Sequence, residues 1–156
     1  MRSPTIDALR EAILEMDSDI LAEAEGVGIC GSIARGEATD RSDIDIFVIL
    51  GRHTPDADEV WYHRLNEALG DFRQDVSVLV YPMQNILEVS NWYVLRLASD
   101  GIVVYDKGNV RRAFDAVIEA ARRAGLVQKR QGNGIVWTMG REMRPGEIFE
   151  VKVEGW

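Results

Sequence analysis

Between two apolar runs, Val27–Cys30 and Ile46–Leu50, lies the polar stretch Gly31-Ser32-Ile33-Ala34-Arg35-Gly36-Glu37-Ala38-Thr39-Asp40-Arg41-Ser42-Asp43-Ile44-Asp45. Asp43 and Asp45 stand two apart at the opening of the second run. In a strand, residues i and i+2 share a face, so the two carboxylates are presented side by side. Such like charges repel, and burial raises their pKa values, unless a cation lies between them. Mg²⁺ answers that need where phosphates are present, because it takes one or two carboxylates together with phosphate oxygens. Gly31-Ser32 offers backbone N–H groups and a hydroxyl at the start of a short helix, a seat for phosphate. These types and spacings point to a metal–triphosphate site.

The flanking chain must position that stretch. Ser3-Pro4 reads as an N-cap followed by a first-turn proline. Ile6, Leu9, Ile13, Met16 and Ile20 then recur at three and four, giving one amphipathic helix that ends before Gly26. Val27–Cys30 and Asp43–Leu50 are expected strands. Thr54-Pro55 opens a second helix whose buried stripe is Trp61, Leu65 and Leu69 and whose end is Gly70. Asp75–Tyr81 is a third strand, stopped by Pro82. A helix between two strands makes a crossover, so the second and third strands are expected to be parallel neighbours with their starts together. Asp75 then falls beside Asp43 and Asp45 if the registers agree, with Asp71 as the fallback. The acidic cluster lies at strand beginnings rather than carboxyl ends, which argues against a doubly wound dinucleotide fold.

Further on, residues 83–98 read as helical turns burying Ile86, Leu87, Trp92, Leu95 and Leu97, and Asp100–Asp106 as a turn and short strand. Asn109 is expected to cap a helix that runs through Val110, Phe114, Val117, Ile118 and Ala121 to Gly125. Gln131-Gly132-Asn133-Gly134 and Arg144-Pro145-Gly146-Glu147 read as turns. Ile135–Met139 and Ile148–Val153 are expected to pair as a small ribbon.

The 156 residues suit one domain with an appendage, and 46% apolar and 28% charged residues are the proportions of a globular chain. No apolar run is long enough for a bilayer, and no secretory signal is read at the start. The single cysteine, Cys30, excludes an internal disulfide framework and suits a reducing cytoplasm. Residues 1–75 carry 17 acidic and 7 basic side chains, net −10, and residues 76–156 carry 9 and 11, net +2. So acidic a first half is a poor match for long nucleic acid. Residues 107–144 hold nine basic and three acidic side chains, a surplus that reads as solvated surface ahead of its alternatives, a contact with nucleotide phosphates or with an acidic partner.

Gly31-Ser32, ten residues, then Asp43-x-Asp45 is similar to the signature of the DNA polymerase beta-like nucleotidyltransferase superfamily, and GSIARGEATDRSDIDIFVIL resembles its minimal nucleotidyltransferase branch. Leu95-Arg96 and Val103–Tyr105 resemble the ending of that module, so the likeness covers about residues 5–106. It implies an α+β fold: a small mixed sheet flanked by helices in residues 1–106, with residues 107–156 as a C-terminal helix and short ribbon packed on it. It implies that Asp43, Asp45 and Asp75 are catalytic and hold two Mg²⁺ ions, and that Gly31 and Ser32 bind the β- and γ-phosphates of ATP. Arg35 either neutralises the leaving group or pairs with Asp40 or Glu37. The resemblance further implies transfer of AMP to a hydroxyl, on a partner such as a HEPN-domain toxin, in the cytoplasm. Homo-oligomerisation stays open. The alternatives are a non-catalytic antitoxin or binding module of the same fold and an aminoglycoside-type transferase.

Overall fold

The structure, a computed structural model, describes residues 2–131, 134–147 and 150–156. The chain divides into two compact units, Met1–Met83 with Asp100–Arg111, and Gln84–Ser99 with Arg112–Trp156.

The first unit is built on strands β1 (Gly26–Cys30), β2 (Ile44–Leu50), β3 (Val76–Pro82) and β4 (Ile102–Asp106), in the order β3-β2-β1-β4. β3 is parallel to β2 across the helical crossover, while β1 is antiparallel to both β2 and β4. The sheet is therefore mixed, and the fold is α+β as expected. Strand alternation sends Val27, Ile29, Ile44, Ile46, Val48 and Val76 to one face. There they join one apolar core with Leu9 and Ile13 of α1 (Ile6–Leu14) and Trp61 and Leu65 of α4 (Ala57–Ala68). Phe47 and Ile49, from the second face, are also fully buried.

The first helix differs from expectation. Thr5, not Ser3, is its N-cap, its hydroxyl accepting from Ala8 N–H at 3.1 Å. The periodic run is also broken in two, because the Asp17 carboxylate accepts from Asp19 N–H at 2.8 Å and caps a separate α2 (Ser18–Leu21). A short side chain that satisfies free N–H groups competes with continuing the helix, and periodicity alone does not register it. α4 likewise starts after Asp56 rather than at Thr54-Pro55.

β4 leads into α7 (Val110–Arg123), whose first turn belongs to the first unit. Asn109 does not cap α7; it sits at φ 61°, and the Asp106 carboxylate accepts from Val110 N–H at 2.7 Å and Arg111 N–H at 3.1 Å. Asp106→Ala is expected to lower stability by about 1–2 kcal/mol, the usual worth of an N-cap, as read by urea denaturation.

Into the second unit the chain runs through α5 (Met83–Leu87) and α6 (Trp92–Asp100). α6 buries Val94, Leu95 and Leu97, but Trp92 is 56% exposed, contrary to expectation, because it stands at the helix start, off the buried stripe. α7 ends at Gly125, and the chain turns straight into β5 (Leu126–Gln131), which pairs antiparallel with β6 (Gly134–Met139) from Leu126↔Met139 to Gln131↔Gly134. The ribbon thus joins β6 to the strand before it, and among the described residues 150–153 form no strand. Adjacent strands close the smaller loop at the lower entropic cost. Leu126–Gln131 is mostly polar, so no apolar alternation marked it. Gly132 and Asn133 of the expected turn, and Ile148 and Phe149 of the expected strand, lie outside the described residues. The second expected turn is present, with Glu147 N–H donating to Arg144 C=O at 3.0 Å. Among the described residues no helix is long and apolar enough to cross a membrane.

Candidate active site

The site is assembled where β1 ends and β2 begins. Antiparallel pairing sets Cys30 opposite Asp45, so the chain leaves β1 at Gly31 against the opening of β2. Gly31 has φ +69°, a left-handed value that favours glycine, and a Cβ on it would lie 2.0 Å from Asp45 Oδ2. The absence of a side chain there lets the Asp45 carboxylate lie against the first turn of α3 (Gly31–Ala34). Cys30 is buried beside it, a small core residue as expected.

Asp45 is half-buried and Asp43 exposed. The Asp45 carboxyl is held above its ordinary pKa, first by burial and then by repulsion from Asp43; the Arg35 guanidinium pulls the other way. The two aspartates are thus close enough to work on each other. Arg35, just after α3, donates from Nε to Glu37 Oε2 at 3.1 Å, so of its possible acidic partners Glu37 is the one it holds. The loop is tied back by Glu37 N–H, which donates to Ser32 C=O at 2.9 Å.

Asp75 enters on the neighbouring strand. β2 and β3 run in parallel register, Ile44↔Val76 and Asp45↔Ser77, and Ile44 N–H donates to Asp75 C=O at 2.8 Å. Ile44 and Val76 both belong to the apolar core, so by strand alternation Asp43, Asp45, Asp75 and Ser77 are assigned to the opposite side. The register continued back one residue sets Asp75 beside Asp43. Among the described residues, however, no three His, Cys, Asp or Glu side chains form a group positioned to hold a metal ion. The structure brings Asp43 and Asp45 together; Asp75 reaches the same end of the sheet without completing such a cluster. Asp71 lies farther back, its carbonyl accepting from Arg2 N–H at 3.1 Å.

Ser77 escaped the sequence reading. It is exposed, directly across from Asp45, and stepping by two from Asp75 would have found it. His53 and His63 stay on the exposed surface, each near an acidic side chain (Asp58 at 3.6 Å and Glu59 at 3.8 Å), away from this constellation.

The family described as nucleotidyltransferase domain matches residues 6–98. No curated protein matches the chain. Among the solved structures that match the chain, three illustrate the shared fold. The tri-AMPylated Shewanella oneidensis HEPN toxin in complex with MNT antitoxin aligns at 15% identity and a TM-score of 0.50, over 76% of this chain and 87% of that one. A toxin–antitoxin with AMP-PNP aligns at 16% identity and TM-score 0.53, over 73% and 86%. A mutant MntA–HpeT toxin–antitoxin aligns at 14% identity and TM-score 0.51, over 73% and 86%.

Proposed function

This chain belongs to the nucleotidyltransferase domain family, and we propose that it moves AMP from ATP to a hydroxyl group on a partner protein in a Mg²⁺-dependent reaction. The observation that carries the reading is the Asp43–Asp45 pair, its repulsion only partly offset by Arg35, set against the side-chain-free backbone at Gly31. Two carboxylates, one half-buried and raised by that burial and by the other, are a donor set suited to Mg²⁺ and phosphate oxygens. Asp43 and Asp45, with Asp75 from just before β3, would hold two Mg²⁺ ions. When bound, such ions supply charge neutralisation at the triphosphate. Gly31 and Ser32 seat the β- and γ-phosphates through backbone N–H groups and a hydroxyl. Arg35 offsets charge on the departing pyrophosphate, and Asp75 accepts the proton of the attacking hydroxyl. Residues 1–106 act as the transferase domain and residues 107–156 as its extension, in the cytoplasm.

The names of the fold neighbours support the partner assignment: one is an MNT antitoxin bound to a tri-AMPylated HEPN toxin, another a toxin–antitoxin with AMP-PNP. A HEPN-domain protein is therefore the proposed acceptor. The test is incubation with α-labelled ATP, Mg²⁺ and such a partner, beside calorimetry with Mg²⁺–ATP alone. Label on the partner, lost in Asp43→Ala, supports transfer; binding of the partner without nucleotide binding or label makes the chain a non-catalytic module.

Arg35 must leave Glu37 to meet phosphate. Its side chain is 22% exposed and the pair is a surface one, worth up to about 1 kcal/mol. Glu37→Gln is therefore expected to tighten Mg²⁺–ATP binding by up to about fivefold, measured by calorimetry. Weaker binding would show Glu37 aiding the nucleotide instead.

A further inference from the structure

We propose that a cavity of about 400 Å³ at the start of β3 binds an oxyanion carried by the acceptor molecule. That the ligand is the acceptor rests on the transfer reaction above; that an oxyanion binds here does not.

The N-terminal segment runs parallel to the chain that leads into β3, bridged at Arg2↔Phe72. With the 38–40 loop and Arg73-Gln74, it lines the cavity. The sheet order β3-β2-β1-β4 places these elements in sequence across the strand starts. Gly31 leaves β1, Asp43 and Asp45 open β2, Gln74-Asp75 opens β3, and Arg2–Thr5 lie beside the approach to β3. The Arg2–Arg73 wall of the cavity is thus separated from Gly31-Ser32 by the aspartates. A triphosphate seated at Gly31-Ser32 leaves this flank for whatever attacks it.

The lining chemistry selects an anion. Arg2 and Arg73 both border the cavity, with Asp40 as its carboxylate and Thr5 and Thr39 contributing hydroxyls. With Arg2 also paired to Glu11, Arg73 is the guanidinium left to meet a group with paired oxygens. Arg2 is held in place by Glu11 at 3.3 Å and by stacking over the Phe72 ring at 5.4 Å. Arg73 is exposed and, among the described residues, makes no ion pair, in a half of the chain where acids outnumber bases 17 to 7.

The test titrates the full chain with inorganic phosphate, and separately with acetate, at constant ionic strength, followed by calorimetry with and without saturating Mg²⁺–AMP-PNP. Phosphate is expected to bind in both conditions. Arg73→Met and Arg2→Met should each weaken it about tenfold, the worth of one charge-assisted hydrogen bond, with Arg73→Lys partly restoring it. Preference for phosphate assigns a phosphorylated acceptor, and preference for acetate an acidic side chain. No binding by either anion, unchanged affinity in Arg73→Met, or displacement by AMP-PNP overturns the proposal. If AMP-PNP fails to bind while phosphate binding still depends on Arg73, the transferase reading falls and the oxyanion pocket stands.

Discussion

Asp45→Asn is expected to reduce nucleotidyl transfer on the order of a thousandfold, because a metal-held charge at the phosphate contributes several kcal/mol to the transition state. The same substitution should stabilise the protein without ligand. In the folded chain the Asp45 carboxyl is raised above its ordinary value of 3.8 by burial and by Asp43, so the folded state holds that proton more tightly than the unfolded chain does. Below 3.8 both states are protonated and Asp45 costs nothing. As pH rises through the raised value the folded state alone carries the penalty of forming a confined charge, and stability falls. Above it the penalty is complete. Asparagine cannot ionise, so urea unfolding of Asp45→Asn should lose that decline and give a higher midpoint at neutral pH. Adding Mg²⁺ should stabilise the wild type more than the variant. Full transfer activity in Asp45→Asn would remove Asp45 from the chemistry.

Gly31→Ala is expected to damage both stability and transfer. The residue would be held at φ +69°, which costs an L side chain about 1–2 kcal/mol. The new Cβ would also meet Asp45 Oδ2 at 2.0 Å and Asp45 Cγ at 2.8 Å. The carboxylate can swing aside, but Asp45 Cβ, 3.0 Å from the same point, is fixed by β2. Relief therefore displaces the group proposed to hold the metal. We expect a loss of about 2–4 kcal/mol in denaturation and a fall in transfer far beyond what that instability explains. Gly36→Ala separates the two causes. Gly36 has a similar φ of +73° with nothing within 4 Å of an added methyl, so only the backbone cost of about 1–2 kcal/mol applies and transfer should persist. Equal effects of the two substitutions would show that the contact with Asp45 is unimportant.

How far the sequence could be read depended on what kind of interaction set each feature. The β2–α4–β3 crossover was legible because alternation and a crossover helix act over short stretches, and the parallel direction followed; the register, left open, came from the structure. The break at Asp17 and the capping of α7 by Asp106 were not, since a carboxylate finding two N–H groups leaves no periodic trace. The β5–β6 ribbon was misjoined because four of the six residues of its first strand are polar and its pairing is decided by proximity.

At the site, the sequence by itself determined the parts and their local phase. A glycine-serine turn after one strand and two aspartates at i and i+2 opening the next follow from residue type and the two-residue pleat, which need no knowledge of distant chain. The third dimension decided the rest. Only antiparallel pairing of β1 with β2 could press Gly31 onto Asp45, only the folded loop could give Arg35 to Glu37, and only the N-terminal segment lying along Phe72 could wall a cavity with Arg2 and Arg73. Apart from the Arg35–Glu37 pair, which only needs the loop's local turn, those contacts join residues remote in the chain, and their energies arise from burial and Coulomb forces that exist only once the sheet has closed the distances.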